Sequence, residues 1–569
     1  MTPFRSTRTA AILVLIALLF ISGCAGPAKP EAVAEAVFRN FVYSGEDPNP
    51  EAVATDGNYI NPILSGFYPD PSITQAGPDF YLVHSTFTWF PGIPVWHSTD
   101  LVNWTQIGNA IDRPGMLDFD GLGLSRGVFA PTIEHHDGTF YIANTCVDCD
   151  GNFILTAKDP AGPWSDPIWM PHVGGIDPSL FFDEDGKVWL MNNDGPPGEV
   201  LYDGHRAIWM RQVDPVTFAP LTEPVVLIDG GVRPEEKPIW IEGPHIYKKD
   251  GWYYLSAAEG GTAVGHSQVI LRSRTVTGPY TPYEGNPVMT QRDLPEDRPN
   301  PITSVGHADY VIDDAGAWWA VFLGVRPYKG DYYNTGRETF LLPVTWKDGW
   351  PVILERDAPV PVSLPRPSLP ASAPPALPTT GSFTLTEDFS GPLQPHWMTP
   401  RVPKSDWFRT GDGTLTLTPR TDGLGSSRQP SFLARRQQHM NASVEVELAF
   451  TPASGSEAGL AAFQSDEFWF ALGVTRDDEG TAVLRLRQRS GPDKAETGEV
   501  LAEAAIPEGT PIHLRFEGQG ARYQASWSLP GEDWQAIGPE LDGKLLSTRT
   551  AGGFVGAVFG VYAEQAGQP

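Results

Sequence analysis

The stretch NPILSGFYPDPSI, residues 61–73, decides the fold, because it ends in the first of five copies of one sequence phrase. In four of the five copies a polar residue, usually with a proline, starts a short apolar run, and in the second copy Ala130 takes its place. A turn containing Asp or Gly follows, and then an aromatic-rich run. Two short apolar runs around such a turn are typical of a β-hairpin. The copies start at intervals of roughly 47–65 residues, at Asp70, Ala130, Asp177, Glu242 and His307.

Repetition at this interval predicts a five-bladed β-propeller. Four-stranded blades take about 40–50 residues each, and five of them fit between residues 61 and 353. An irregular β-sandwich built from the same hairpins is the alternative. In a propeller, equivalent positions of successive blades are related by rotation about the axis. We therefore expect the five starting residues to surround one mouth of the central channel.

Three of these five residues are acids, which points to catalysis. Like charges in one cleft raise one another's pKa, so such a cluster is a candidate functional site. Hydrolysis of a glycosidic bond needs two carboxyl groups, which in inverting enzymes stand about 6.5–9.5 Å apart. Asp70 and Asp177, each before a proline, could instead be simple turn starters. Glu235 and Glu236 compete with Glu242 as the third acid.

Six motifs follow one another within residues 61–353: FYPDPS (67–72), STFTWFPG (85–92), STDLVNW (98–104), GIDPSL (175–180), IEGP (241–244) and GHA (306–308). The ordered set resembles glycoside hydrolase family 43, whose members are five-bladed propellers with inverting β-xylosidase and α-L-arabinofuranosidase activities. The resemblance implies that Asp70 is the general base and Glu242 the general acid. Asp177 would orient Glu242 and raise its pKa.

The same resemblance implies further site residues. His307 would lie beneath the sugar site and contact a structural Ca²⁺ mainly through waters, or else be a hydrogen-bonded structural histidine. Arg337 would contact substrate, with a surface arginine as the alternative. Trp89 and Phe129 would wall the sugar pocket, or belong to the core. The chemistry itself would need no cofactor.

The N-terminus resembles a bacterial lipoprotein signal. Arg5 and Arg8 precede an apolar run that is too short to span a membrane, and the run ends at Cys24. We expect a signal peptide over residues 1–24, a lipidated Cys24 and a tether over residues 25–59. An ordinary signal peptide is the alternative. Because Ala25 is not the Asp that signals retention, the expected location is the bacterial cell envelope, anchored in the outer membrane.

Charge and cysteine content limit the partners. The formal net charge of −29 argues against nucleic acid and anionic lipid surfaces, because polyanions are bound by basic surfaces. A neutral pentose oligosaccharide is compatible with this charge, and membrane contact would come only from the lipid.

After Cys24 the chain has Cys146 and Cys149, which we expect to form a small disulfide or to remain as two free thiols. The oligomeric state does not follow from the sequence.

The remaining chain predicts a second domain. We place the propeller at residues 60–356, a proline-rich linker at 357–382 and an antiparallel β-sandwich at 383–564. Short segments of strict alternation such as AVLRLR (482–487) support the sandwich. The segment resembles the concanavalin-like C-terminal domain of two-domain family 43 xylosidases, in which one loop helps to close the active-site pocket.

The expected function is therefore an inverting exo-glycoside hydrolase that releases xylose or arabinofuranose from xylo-oligosaccharides or arabinoxylan fragments. One alternative is an enzyme with α-L-arabinofuranosidase as its main activity. Another is a non-catalytic surface lipoprotein that binds glycans, although a binding protein would have no need of three acids. Both pentoses are neutral, so the sequence does not choose between them.

Overall fold

The computed structural model describes residues 34–566. They form an almost purely β structure, with one short α-helix (Thr548–Ala551) and two 3-10 helices (Pro234–Glu236 and Gly543–Leu546). The predicted signal peptide and Cys24 lie outside the described residues. Within 34–566, no helix has the length and apolar character needed to cross a membrane.

Five antiparallel sheets follow one another along the chain and form the blades of the predicted propeller. The innermost strands, Ser72–Ala76, Thr132–His136, Ile176–Phe182, Glu242–Lys249 and Thr303–Ile312, contact one another in a closed ring. Blade 1 contains Ser72–Ala76, Asp79–Val83, Gly92–Ser98 and Thr105–Ile111. Blade 2 contains Gly127–Val128, Thr132–His136, Thr139–Val147, Gly151–Ala157 and Ile168–Trp169. Blade 3 contains Ile176–Phe182, Val188–Asp194, Ala207–Val213 and Val225–Asp229.

The last two blades are less regular. Blade 4 contains Glu242–Lys249, Trp252–Glu259, Ser267–Ser273, Thr281–Pro282 and Met289–Thr290, the last two both pairing with the third strand. Blade 5 contains Thr303–Ile312, Trp318–Val325 and Glu338–Pro343. A separate hairpin of Thr345–Lys347 and Trp350–Val352 follows.

The opening stretch, residues 61–73, closes this ring. The backbone N–H of Ile63 donates to the carbonyl oxygen of Thr339 at 2.9 Å, and the N–H of Thr339 donates to Leu64 at 3.1 Å. The Asn61 side chain extends the pairing, because it exchanges two 2.9 Å hydrogen bonds with the backbone of Leu341. The beginning of the stretch thus adds to blade 5 and its end starts blade 1. Hydrogen bonds of this stretch therefore hold the last blade against the first.

A two-sheet sandwich follows the propeller, as predicted. One sheet contains Ala36–Glu46, Phe383–Glu387, Phe408–Gly411, Thr414–Leu417, Asn441–Ala449, Ile512–Gln519, Arg522–Ser528, Gln535–Ala536 and Leu541–Asp542. The other contains Ser431–Arg436, Ser456–Ser465, Phe468–Arg476, Ala482–Ser490, Glu499–Ala505 and Val558–Gln565. Their apolar faces enclose one core.

The tether predicted for residues 25–59 is wrong where the structure describes it. Residues Ala36–Glu46 form a strand of the sandwich, paired with Asn441–Ala449 on one side and with Phe383–Glu387 and Thr414–Leu417 on the other. Alternate side chains of this strand are buried, as expected for a strand with one face in the core of the sandwich. The sandwich therefore takes a strand from before the propeller.

The proline-rich segment 357–382 is attached to the propeller. Its one strand, Ser363–Pro365, pairs with Asn58–Ile60. The buried carboxylate of Asp100 binds Arg366 Nη2 at 2.7 Å and the backbone N–H of Ser372 at 2.9 Å. These contacts hold the segment in place on its way to the sandwich.

Propeller and sandwich share an extensive interface. The short strands Trp89–Phe90 and Thr399–Pro400 pair across it. Next to them Arg401 is fully buried, donates from Nε to the Leu122 carbonyl at 2.8 Å and binds Asp466 at 2.5 Å.

Candidate active site

One pocket of about 300 Å³ opens at the mouth of the propeller channel. All five residues that start the blades line it, namely Asp70, Ala130, Asp177, Glu242 and His307. The structure thus brings together the ring expected from the repeats. Glu235 and Glu236, the competing acids, lie in the exposed 3-10 helix and do not line this pocket.

The backbone turns these side chains into the channel by an uncommon conformation. Asp70, Asp177 and His307 have φ angles of 54°, 54° and 53°, in the left-handed region that residues other than glycine seldom adopt. In blade 4 the left-handed residue is Gly243, with φ 57°. A Cβ at Gly243 would lie 2.8 Å from His307 Nε2, so the close packing of these two blades also requires glycine. Strained residues of this kind concentrate at functional sites.

Asp70 is fixed on both carboxylate oxygens. Ser85 Oγ donates to Oδ2 at 2.5 Å, and Arg337 Nη1 donates to Oδ1 at 2.6 Å. Asp70 and Arg337 are both 5% exposed. Charge-assisted hydrogen bonds of this kind are shorter and stronger than neutral ones, so they hold the carboxylate in place. The arrangement suits Asp70 to accept a proton, and it places Arg337 at the pocket, where the family resemblance expected it.

Burial disfavours the ionised forms of both Glu242 and Asp177. Burial raises the pKa of Glu242 well above its ordinary value, and the charges of Asp177 and Asp70 raise it further. Burial, followed by the charge of Asp70, raises the pKa of Asp177 to about 7. The Gly243 N–H donates to Asp177 Oδ2 at 3.1 Å, which links Asp177 to the residue after Glu242. Glu242 is therefore suited to carry a proton at neutral pH.

Three phenylalanines form an aromatic wall beside the acids. Phe87 and Phe129 meet edge to face at 5.7 Å, and Phe554 contacts both, at 5.9 and 5.6 Å. The Arg337 guanidinium carbon lies 5.9 Å from the Phe87 ring and 5.4 Å from the Phe554 ring. Phe129 thus lines the pocket, as expected. Phe554 comes from the sandwich, so the second domain contributes directly to the site.

The prediction that Trp89 walls the sugar pocket is wrong. Trp89 is fully buried and does not line the pocket. Its ring packs against Phe67, Phe432 and Phe463, with centroids 6.3–6.4 Å apart. Two of these partners belong to the sandwich, so Trp89 serves the interface between the domains. Its neighbour Phe87, two residues earlier in the same motif, faces the pocket instead.

His307 lines the floor of the pocket but does not complete a metal site formed by protein groups. Burial lowers the pKa of His307 to about 4, so the ring is neutral, and its Nδ1 is buried without a hydrogen-bond partner in the structure. No cluster of three or more His, Cys, Asp or Glu side chains suited to a metal occurs within 34–566. The Ca²⁺ held mainly through waters that the resemblance implies stays a prediction, and no step of the proposed mechanism depends on one.

Four large side chains of the pocket were not predicted from the sequence: Phe87, Arg126, Trp240 and Phe554. Phe87 lies inside the motif STFTWFPG and Trp240 precedes Glu242 by two positions, so proximity could have indicated both. Arg126 comes from a loop and is oriented by Asp148, which accepts from its Nε at 2.5 Å. Phe554 lies in the sandwich, far along the chain from every blade, and only folding brings it near.

Cys146 and Cys149 form a disulfide at the end of a blade 2 strand, outside the pocket. This was one of the two states expected for the pair. The bond closes the short turn between Thr139–Val147 and Gly151–Ala157.

Comparison with known proteins follows the same two parts. The profile of glycosyl hydrolases family 43 matches residues 59–351, and that of the beta xylosidase C-terminal concanavalin A-like domain matches residues 386–569. A xylosidase/arabinosidase of Butyrivibrio fibrisolvens is 38% identical over 518 residues, 89% of this chain and 96% of that protein. A non-reducing end alpha-L-arabinofuranosidase of Bacteroides ovatus is 36% identical, over 90% and 92% of the two chains.

Solved structures agree over both parts. A GH43_12 protein retrieved from a capybara gut metagenome superposes with a TM-score of 0.87 at 38% identity, covering 93% of this chain and all of that one. A xylan beta-1,4-xylosidase from Bacillus halodurans gives a TM-score of 0.80 at 32% identity, covering 89% and 97%. With two matching profiles and relatives that span nearly the full length, the chain belongs to glycosyl hydrolase family 43.

Proposed function

We propose that this chain is an inverting exo-glycosidase that removes one terminal xylose or arabinofuranose from xylo-oligosaccharides or arabinose-substituted xylan fragments. The observation that carries the proposal is one pocket in which Asp70, bound to Arg337 at 2.6 Å, lies with Glu242, whose pKa is raised by burial and by the neighbouring acids. Its volume of about 300 Å³ and its aromatic wall suit the end of a sugar chain better than the middle of one.

In the proposed mechanism Glu242 is the general acid and Asp70 the general base. Asp70 takes a proton from a water, whose oxygen attacks the anomeric carbon. Glu242 donates its proton to the glycosidic oxygen on the opposite face as the C–O bond breaks. The pentose leaves with inverted anomeric configuration, and the shortened chain leaves as an alcohol.

The neighbouring groups keep these two residues in their starting states. Arg337 and Ser85 stabilise the negative charge of Asp70 before it accepts the proton. The charge of Asp177 opposes ionisation of Glu242, so that Glu242 still holds its proton near neutral pH. Arg337, Phe87, Phe129 and Phe554 would bind and orient the sugar ring.

The relatives support both pentoses. The Butyrivibrio fibrisolvens protein is named for xylosidase and arabinosidase together, and the Bacteroides ovatus protein for arabinofuranosidase alone. This second name favours α-L-arabinofuranosidase as the alternative main activity. A glycan-binding protein without catalysis remains the non-enzyme alternative, and the opposite protonation states proposed for Asp70 and Glu242 argue against it.

For location, we propose a lipid anchor at Cys24 in the bacterial envelope. It is supported by the basic, apolar and small-residue pattern of residues 5–24. Metabolic labelling with a fatty acid in wild type and in Cys24→Ala tests it. Loss of label and of membrane association in the variant is expected, and an unlabelled wild type would reject the anchor.

The central experiment compares hydrolysis of nitrophenyl β-xyloside and nitrophenyl α-arabinofuranoside, with the anomer of the released sugar followed by NMR. We expect turnover of at least one substrate and first appearance of the inverted anomer. Glu242→Gln keeps the shape of the side chain but has no proton to donate, so we expect its rate on unactivated xylobiose to fall at least about 10³-fold. Glu235→Gln, in the exposed 3-10 helix, is the matched control.

Three results would decide against the proposal. Retention of anomeric configuration would exclude the inverting mechanism. Near wild-type activity in Glu242→Gln would remove its assigned role. Binding of xylo-oligosaccharides by the wild-type protein, without turnover of either nitrophenyl substrate, would favour the glycan-binding alternative.

A further inference from the structure

A second pocket, of about 180 Å³, lies where the propeller, the proline-rich segment and the sandwich meet. It shares no lining residue with the catalytic pocket, and no Asp or Glu lines it. Its polar lining comes from all three parts and includes Thr105, Gln106, Thr379, His396, Arg435 and Gln438. Nothing in the proposed glycosidase mechanism uses it.

The pocket contains a buried guanidinium without a carboxylate partner. Arg435 is 2% exposed, and no acidic side chain of residues 34–566 forms a salt bridge with it. Its Nη2 donates to Gln438 Oε1 at 2.6 Å, while its Nε is buried without any partner. The Tyr43 ring lies 4.0 Å from the guanidinium carbon. A guanidinium has five N–H donors, and a buried charge left unpaired is costly, so this site is incomplete as it stands.

Arg436 adds a second positive charge near this pocket, and His396 adds a neutral hydrogen-bonding group. Arg436, the next residue, is 6% exposed, and its Nε donates to the carbonyl oxygen of Phe67 at 2.8 Å. His396 has a buried Nδ1 without a partner. Burial, helped by Arg435 and Arg436, keeps the pKa of His396 well below its ordinary value, so its neutral ring can offer one N–H. Such a cationic cluster is unexpected in a chain with a formal net charge of −29.

We propose that this pocket binds a small oxyanion, either a short carboxylate or an inorganic oxyanion, through Arg435 and His396. A guanidinium presents N–H groups in a planar fork that matches two oxygens of one anion. The volume accommodates acetate or phosphate and leaves no room for an oligosaccharide. Because the pocket is lined by three separate segments, the bound anion would hold them together and stabilise the folded chain.

The test is thermal unfolding of the full chain in increasing sodium acetate or sodium phosphate, with sodium chloride keeping the ionic strength constant. A ligand that binds only the folded state raises the unfolding midpoint in a saturable manner. We expect a rise of a few degrees with at least one oxyanion and a smaller one with chloride alone. The two arms distinguish carboxylate from inorganic oxyanion. Equal midpoints in all three salts would overturn the proposal.

Two variants tie the effect to the pocket. Gln438→Glu has nearly the same shape and places a carboxylate 2.6 Å from Arg435 Nη2. We expect this built-in anion to raise the midpoint without added salt and to abolish the response to acetate and phosphate. Arg435→Met should also lose the response, whatever its own stability. An undiminished response in Gln438→Glu would place the anion elsewhere and reject the site.

Discussion

At the scale of single residues, the site depends on two carboxyl groups, those of Asp70 and Glu242, that have different surroundings. Asp70 receives a guanidinium and a hydroxyl within hydrogen-bond distance, which stabilise its charge. Glu242 is buried, and no hydrogen bond to its carboxyl group occurs among residues 34–566, so burial and neighbouring acids dominate. Environment, more than residue type, separates the proposed base from the proposed acid.

The first prediction at this scale concerns Asp177→Asn. It removes a negative charge that raises the pKa of Glu242, so that pKa falls and Glu242 loses its proton at lower pH. The alkaline limb of the kcat/KM profile should therefore move to lower pH, while kcat at its optimum falls by roughly 10- to 10²-fold. Measurement of kcat/KM against pH on xylobiose checks this. Asp185→Asn, on the exposed hairpin turn of blade 3, should leave the limb in place.

An alkaline limb that stays in place in Asp177→Asn would assign Asp177 to positioning alone. The stability of the same variant provides an independent reading. Because the pKa of Asp177 is raised from 3.8 to about 7 in the folded state, the unfolded chain releases this proton first, so stability is lost as pH rises from about 4 to about 7 and stays lower above it. The unfolding midpoint of the variant should therefore exceed that of the wild type at pH 8 and approach it at pH 4.

At the scale of elements, the left-handed starts of the innermost strands connect fold and site. Asp70, Asp177 and His307 share nearly the same φ, so three of the five repeats have the same backbone conformation at this position, and in blade 4 it lies one residue later, at Gly243. The strand Ala36–Glu46, by contrast, was not predicted from the sequence. Its alternating burial is that of a sandwich strand, yet its position before the propeller led to its prediction as part of a tether.

We predict that this strand is essential to the stability of the sandwich. Phe41 is 1% exposed and meets Trp397 edge to face at 4.8 Å. Phe41→Ala should lower the free energy of unfolding by about 3–5 kcal/mol, because it leaves a cavity in the core. Urea unfolding followed by tryptophan fluorescence measures it. Arg39→Ala, on the outer side of the same strand, should change stability by less than about 1 kcal/mol.

A tolerated Phe41→Ala, with the same unfolding curve as the wild type, would contradict the strand and restore the tether. Loss of stability in both variants to the same extent would point instead to a general effect on the backbone of the segment. The contrast between the two positions is therefore the informative quantity.

At the scale of the whole molecule, the sandwich completes the catalytic pocket. The Phe554 N–H donates to Ser125 Oγ at 2.8 Å, so the loop that carries this ring is fixed to the propeller. The interface behind it buries Trp89 among aromatic side chains from both parts. The two parts therefore act as one catalytic unit.

From this we predict that Phe554→Ala lowers kcat/KM by about 10- to 10²-fold, equivalent to roughly 1–3 kcal/mol of transition-state stabilisation. Phe554→Leu, which keeps an apolar side chain of similar size, should recover part of the loss. Steady-state kinetics on xylobiose and unfolding curves separate a pocket effect from a folding effect. Full activity in Phe554→Ala would show that the propeller alone forms a competent site.

The sequence by itself determined the repeat, and from the repeat the propeller and the ring of acids; the alternation of apolar residues after the propeller determined the sandwich. These features follow from local patterns: alternation of apolar residues, turns with Asp or Gly, and equivalent positions in successive blades. Asp70, Asp177, Glu242 and His307 could be placed in one pocket because rotation about an axis relates them. Arg337 and Phe129 were found through the resemblance of the same region to a known family.

Only the tertiary structure showed that Ala36–Glu46 belongs to the sandwich. It also showed which aromatic residue of the motif 85–92 faces the pocket, and that Phe554 reaches the same pocket. Trp89 and Phe87 are aromatic residues two positions apart in one motif, so the sequence does not show which of them is buried. Only the docked sandwich distinguishes them. The same holds for Arg435, which looks like an ordinary strand residue until its partners are known. Contacts between distant segments have no local signature, because they form only when the chain buries both surfaces at once.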